Sequence, residues 1–322
     1  MLDSLRFVRG AVALKDHVPV LRHFQIHNGF VQSHNGVLSL KAPIACDLSI
    51  KPLADKFVHA IALCDEAVSL HETETGRMAV TSGPFKAYID TSTETFPDIQ
   101  PQGENVETTG LLDAIRALAP IMSDDASRGW SRGILFVGQS AYVTNNIILA
   151  EHWLQEPVSQ PFGLPAMAVN ELLRIGEEPE GVQISDNRVT FHYDGDRSLT
   201  TSLLLINQWP DVREMLDTFD LDELYDVGPD FFVALSKLRP FTTDLRPVWL
   251  NDNLVSTSDT EGDGAHIELE DTTGLRGRWA LDQLLKLEGV ANRVAWDRAP
   301  KPCPFFGEVM RGLIVGLTSA HR

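Results

Sequence analysis

Cysteine is scarce in this chain, and basic residues are outnumbered. Its 322 residues hold three cysteines, Cys46, Cys64 and Cys303, far apart and with no CxxC pair. That spacing excludes a disulfide framework and a cysteine-built zinc site. It points to a reducing compartment, so a cytoplasmic location is expected. No run approaches the ~20 apolar residues of a membrane span. The start, "MLDSLRFVRG", lacks the apolar core of a secretory signal. The GxGxxG, P-loop, HExxH and GxSxG patterns are all missing, so no catalytic residue, metal or cofactor is expected. Lys and Arg number 27 against 45 Asp and Glu, a net charge of -18. As a mean field, that charge repels nucleic acid.

The chain does contain a repeat. Apolar residues make up 43% and charged residues 22%, ordinary for a globular protein. Phe96-Pro97-Asp98-Ile99 and Trp209-Pro210-Asp211-Val212 are the same aromatic-Pro-Asp-β-branched tetrapeptide. Their surroundings recur as well. Three amphipathic helices carry the stripes Phe57/Ile61/Cys64, Val169/Leu172/Leu173 and Leu281/Leu284/Leu285. Each precedes an alternating strand, at Val68/Leu70, Val182/Ile184 and Val294/Trp296, spaced by about 110 residues. Upstream of these come a helix and a hairpin. "TTGLLDAIRALAPIM", with Thr109 as N-cap, and "GPDFFVALSKLRPF" are two such helices, and Leu2 to Ala13 is the third. The spacing predicts an α+β chain of three tandem units, 1–105, 106–215 and 216–322, each reading helix, strands, helix, strands. The tetrapeptide reads as the turn leaving a unit, with proline stopping the ladder and aspartate closing the turn.

Few residues suggest chemistry. Asp124-Asp125 and the "DGDR" run from Asp194 read as solvated turns. Asp259 to Glu270, "DTEGDGAHIELE", nearly fits a calcium loop, but its third position is Glu and its flanks read as strands. A hairpin tip is the expected structure. His17, His23, His27 and His34 lie near one another in sequence without good ligand spacing, so structural or surface roles are expected.

The basic residues are more informative. Arg116, Arg174 and Lys286 each fall five residues after the first stripe residue of their helix, about 140° round it. Lys56, Lys237 and Arg239 also lie on predicted helices, whereas the acids crowd into stretches such as "EEPEG" and "DLDELYD". For one helix this is a solvated face. Across the set it predicts basic helices and acidic edges.

The stretch "GWSRGILFVGQSAYVTNNIILAEHWL", the helix "LPAMAVNELLRI" and the run "INQWPDVREML" together resemble the DNA sliding clamps of the bacterial polymerase III beta-subunit family. "KDHVPVL" and "ETFPDI" extend the likeness into the first unit. The resemblance implies half of a closed ring, helices inside and sheets outside, completed by a second copy head to tail. It implies a non-enzymatic processivity factor that encircles duplex DNA of any sequence and tethers a polymerase. The alternative is a clamp-like protein that binds replication proteins without encircling DNA. The channel residues so implied are Arg6, Arg9, Lys15, Lys56, Arg116, Arg174, Lys237, Arg239 and Lys286.

The resemblance also implies a groove for short hydrophobic motifs of polymerase and clamp loader. Its residues would be Thr144, Asn146, Ile147, Ile148, Leu149, Pro165, Val169, Ile314 and Leu317. The family's Asp-Gly-His-Arg run is here Asn145-Asn146-Ile147-Ile148, and a leucine position is Ser131. A differently shaped peptide is therefore expected. The short stretch before the first helix is what a phage or mobile-element member would show.

Overall fold

The computed structural model describes residues 1–15, 18–106, 108–125, 127–219, 223–243, 246–260, 262–270 and 272–318. His17, Glu261 and part of the acidic "DLDELYD" stretch therefore lie outside the described residues. The chain divides into two compact units. One comprises Met1–Leu112 and Met167–Leu204, the other Asp113–Ala166 and Leu205–Arg322.

In the first unit, helix α1 (Leu2–Val8) ends in a 3-10 turn, Arg9–Ala11. Leu5, Val8 and Ala11 are fully buried at helical spacing. The helix is shorter than the predicted stretch to Ala13 because Val12 turns extended, φ -81° and ψ 131°. Helix α2 (Ala54–Ala62) buries Phe57, Val58 and Ile61, while Cys64 lies past its end and is half-buried. The Phe57 ring meets Phe24 edge-on at 6.5 Å. Burying such a ring contributes about 1.5–3 kcal/mol.

A seven-stranded sheet runs in the order Gln25–His27, Phe30–His34, Leu38–Pro43, Arg197–Ser202, Arg188–Tyr193, Gly181–Ile184 and Glu104–Val106. At its centre, strands of the first and second sequence repeats pair directly, with Leu199 opposite Leu40 and Thr201 opposite Leu38. A smaller sheet holds Ser69–Glu72, Met78–Ser82 and Phe85–Ile89.

The second unit contains most of helix α3 (Leu111–Leu118). Helix α4 (Ala166–Ile175) belongs, all but its first residue, to the first unit, where it buries Ala168, Val169 and Leu172. Helices α5 (Val212–Asp217), α6 (Pro229–Leu238) and α7 (Leu281–Leu285) are in the second unit. Its eight-stranded sheet runs Phe162–Pro165, Gly133–Val137, Ser140–Thr144, Ile148–Trp153, Met310–Val315, Pro302–Phe306, Arg293–Val294 and Tyr225–Asp226. Here the second and third repeats meet, with Ile148 opposite Ile314 and His152 opposite Met310. A four-stranded sheet holds His266–Glu268, Leu254–Ser256, Pro247–Asp252 and Leu275–Ala280.

Two local expectations change and a third holds. Thr109 was the expected cap of α3. Instead both oxygens of Glu178 accept from its first N–H groups, Leu111 at 2.8 Å and Leu112 at 2.9 Å. A carboxylate there also suits the positive end of the helix. The two tetrapeptides diverge: Phe96 packs with Val20 and Leu21, whereas Asp211 accepts from Glu214 N–H at 3.0 Å and starts α5. The 259–270 stretch joins two antiparallel strands, Leu254–Ser256 and His266–Glu268, with no flanking helices. Within it Asp263 accepts from Gly264 N–H at 2.9 Å. Among the described residues no group of three or more His, Cys, Asp or Glu could hold a metal, and no helix is long and apolar enough to cross a membrane.

Candidate functional site

The nine basic residues of interest divide between the units. In the first, Arg9 pairs with Asp55 at 3.1 Å and Lys56 with Asp90 at 3.3 Å, all well exposed. Arg6 lies 3.8 Å from Asp3, and Lys15 is exposed. Arg174 is different. Its Nη2 donates to the Phe7 carbonyl at 2.7 Å and its Nε donates to Glu171 at 2.9 Å. Glu171 is only 7% exposed. The side chain thus ties α4 to the end of α1, and all three nitrogens of its guanidinium have acceptors, Nη1 donating to the Arg6 carbonyl at 3.4 Å.

In the second unit, Arg116 pairs with Asp113 one turn back at 3.0 Å, and Arg239 reaches Asp282 at 3.5 Å. Lys237 is exposed in the last turn of α6, with no ion pair among the described residues. Lys286 is half-buried at the end of α7. Burial lowers its pKa, against the pull of Asp124 and Asp282. The even helical spacing of Arg116, Arg174 and Lys286 therefore hides three environments: a surface pair, an inter-element clip and a half-buried amine.

Five of the nine groove residues come together. Thr144, Asn146, Ile147, Ile148 and Leu149 line a cavity of about 560 Å³ in the second unit. A local device shapes its floor. Asn145 Oδ1 accepts from Ile147 N–H at 3.0 Å and Ile148 N–H at 2.8 Å, and Asn146 takes φ 70°. Asparagine tolerates that left-handed region. The first repeat does the same: Asn35 Oδ1 accepts from Val37 and Leu38 at 3.1 and 2.8 Å, with Gly36 at φ 94°.

The other four residues do not line the cavity. Val169 and Ile314 are fully buried. Pro165 is paired opposite Gly133 at a sheet edge, and the Leu317 N–H donates to the Arg278 carbonyl at 2.7 Å. On the last long strand Leu313 and Val315 line the wall instead of Ile314. Alternate residues face opposite sides, so a one-residue offset in assignment exchanges wall for core.

Sequence reasoning missed Trp130 and Trp209, whose rings meet at 5.1 Å in a T-shape. Pro210, Val212 and Met215 continue that wall, with Arg128 donating to the Asn146 amide oxygen. The signal was the repeated tetrapeptide itself. Trp209-Pro210-Asp211-Val212 is more than a turn: capped by its own aspartate, it starts α5, which buries Val212 and Leu216 against Leu135, Tyr142, Leu149 and Leu313. The cavity is mostly apolar, with Arg128 the only charged group lining it among the described residues, and suits an extended hydrophobic segment.

No protein-family model and no curated sequence matches the chain. Solved structures do. The beta subunit of Streptococcus pyogenes DNA polymerase superposes with a TM-score of 0.84 at 18% identity, covering 99% of this chain and 97% of that one. The fold is that of a DNA polymerase sliding clamp. The Bacillus subtilis clamp gives 0.84 at 17% identity over the same shares, 99% and 97%. A Bartonella birtlesii clamp solved with bound griselimycin also gives 0.84 at 17%, again covering 99% and 97%.

Proposed function

We propose that this chain is a DNA sliding clamp, a processivity factor without catalysis that encircles duplex DNA and tethers a polymerase in the cytoplasm. The observation that carries this reading is the clamp fold over 99% of the chain. Three tandem domains, 1–105, 106–215 and 216–322, would form half of a ring, with the basic helices toward the duplex. The carboxylate partners of Arg6, Arg9, Lys56, Arg116 and Arg239 do not oppose this. Exposed ion pairs are worth about 0–1 kcal/mol, so a phosphate can take the place of the acid. Sequence-independent contact of that kind suits sliding.

A second copy is the expected completion of the ring. Strand Phe85–Ile89 is the last in its sheet, with Tyr88 56% and Leu63 51% exposed beside a cavity of about 760 Å³. An open apolar edge of this kind calls for a cover. Arg6, Arg9 and Lys56 also border that cavity, which would bring them to the joint between copies.

The Trp130–Trp209 cavity would take a short hydrophobic motif from the polymerase and from the clamp loader. The Bartonella birtlesii neighbour was solved with griselimycin, and that compound is the probe for this chain. Binding is expected, with at least tenfold loss in Trp209→Ala. The reading as a clamp is tested on nicked circular DNA with the loader. Retention should vanish on linearisation, because a ring slides off an end. Equal retention on both forms would favour the interaction protein that does not encircle DNA.

A further inference from the structure

A second cleft in the second unit has no counterpart in the reading above. Its volume is about 480 Å³, and it is walled by Phe232 and Pro229 of α6, Val309 and Met310, and the loop from Glu288 to Asn292. It uses the same strand pair as the Trp130–Trp209 cavity, but the other face and the other end. His152 and Met310 stand opposite each other, while Leu149 and Leu313 of the first cavity have the other parity along the strands.

The base of the cleft carries an unusual group. His152 is 7% exposed, lines the cleft, and its Nδ1 is buried with no hydrogen-bond partner among the described residues. The ring therefore forms part of the floor of the cleft, against which an apolar side chain can pack. Burial lowers the His152 pKa, against the Trp153 backbone and the Asp113 carboxylate.

The rim is acidic. Glu288 and Glu308 line it, both exposed, and among the described residues no Lys or Arg does. The first turn of α6 carries Asp230, which offsets the positive end of that helix. Val309, 51% exposed, forms an apolar lip. The wall is firm, because Gly307 packs so tightly that a Cβ there would lie 2.0 Å from the Val290 carbonyl oxygen.

We infer that this cleft is a second docking site, for a peptide segment that inserts an apolar side chain beside His152 and sets a Lys or Arg against Glu288 and Glu308. Charge complementarity selects the basic partner, and the apolar wall selects its inserted side chain. The site is independent of ring closure and of the Trp130–Trp209 cavity.

The test uses the full chain and two blocked tripeptides, Lys-Phe-Lys and Glu-Phe-Glu, followed by NMR at the His152 imidazole. The basic peptide should shift His152 saturably, and the acidic one should not. Glu288→Gln with Glu308→Gln, both at exposed positions, should weaken binding at least fivefold. Val309→Arg, which places the chain's own cation at the lip, should compete with the peptide and weaken it further. Equal shifts from both peptides, no shift from either, or undiminished binding to the double variant would overturn the inference.

Discussion

Arg311 Nε donates to Glu151 Oε2 at 2.6 Å across two strands on which the residues stand directly opposite. Glu151 is 3% exposed, and its other oxygen accepts from Ser140 at 2.6 Å and from Tyr142 at 2.8 Å. Arg311 Nη2 reaches on to Asp217 of α5 at 2.7 Å. One guanidinium thereby joins the strands of two repeats and the helix that forms the wall of the Trp130–Trp209 cavity.

Removing that guanidinium should be expensive. Arg311→Ala leaves Glu151 buried without its counter-ion, at a cost of about 3 kcal/mol, the lower end for a broken buried pair. Part of Arg311 is in water, which keeps the figure low. Urea unfolding of the variant against the parent measures it. A change below a few tenths of a kcal/mol would show that the network does not hold the sheet.

The same network sets an acid limit. Burial alone would raise the Glu151 pKa, but the Ser140, Arg311 and Tyr142 hydrogen bonds outweigh it, so the value lies below the ordinary 4.5. A depressed carboxylate contributes stability that is full above 4.5 and is lost as pH falls through the folded value. The melting temperature should therefore drop on acidification below that point. Glu151→Gln should be less stable near neutrality and show a shallower acid slope. Parallel slopes in the two proteins would refute the assignment.

Glu178 caps α3 from far along the chain. Glu178→Ala should cost about 1 kcal/mol, and Glu178→Gln part of that, since one amide oxygen can still accept. Thermal melts would show this, whereas Thr109→Ala should have little effect. The reverse ranking would return the cap to Thr109.

Arg174 is expected to behave as a clip first and a phosphate ligand second. Arg174→Ala should speed amide exchange through the end of α1 and the turn Arg9–Ala11. Hydrogen-exchange mass spectrometry on that peptide decides the matter, with unchanged protection counting against it.

Lys237 should show the opposite behaviour. As an exposed amine without an ion pair among the described residues, it should leave the melting temperature unaltered on Lys237→Ala. If it meets a phosphate, the log–log slope of DNA affinity against salt should fall by about 1. An identical slope would remove Lys237 from the channel.

Much was legible in the chain because periodicity is a local property. The stripes at Phe57, Val169 and Leu281, the alternating strands and the recurring tetrapeptide follow from which neighbours face the same side, and they predict three α+β repeats without tertiary information. The Asn145-Asn146 turn was also present in the residues, since an asparagine side chain bonds its own backbone. Partner choice was not legible. Which strand of one repeat lies beside which of the next, whether Arg174 meets water or the carbonyls of α1, that Glu178 caps α3, and that Leu313 rather than Ile314 lines a wall all depend on groups distant in sequence. Spacing places a residue on a face of its own element. Only packing decides what that face meets, because burial and hydrogen bonding are properties of pairs.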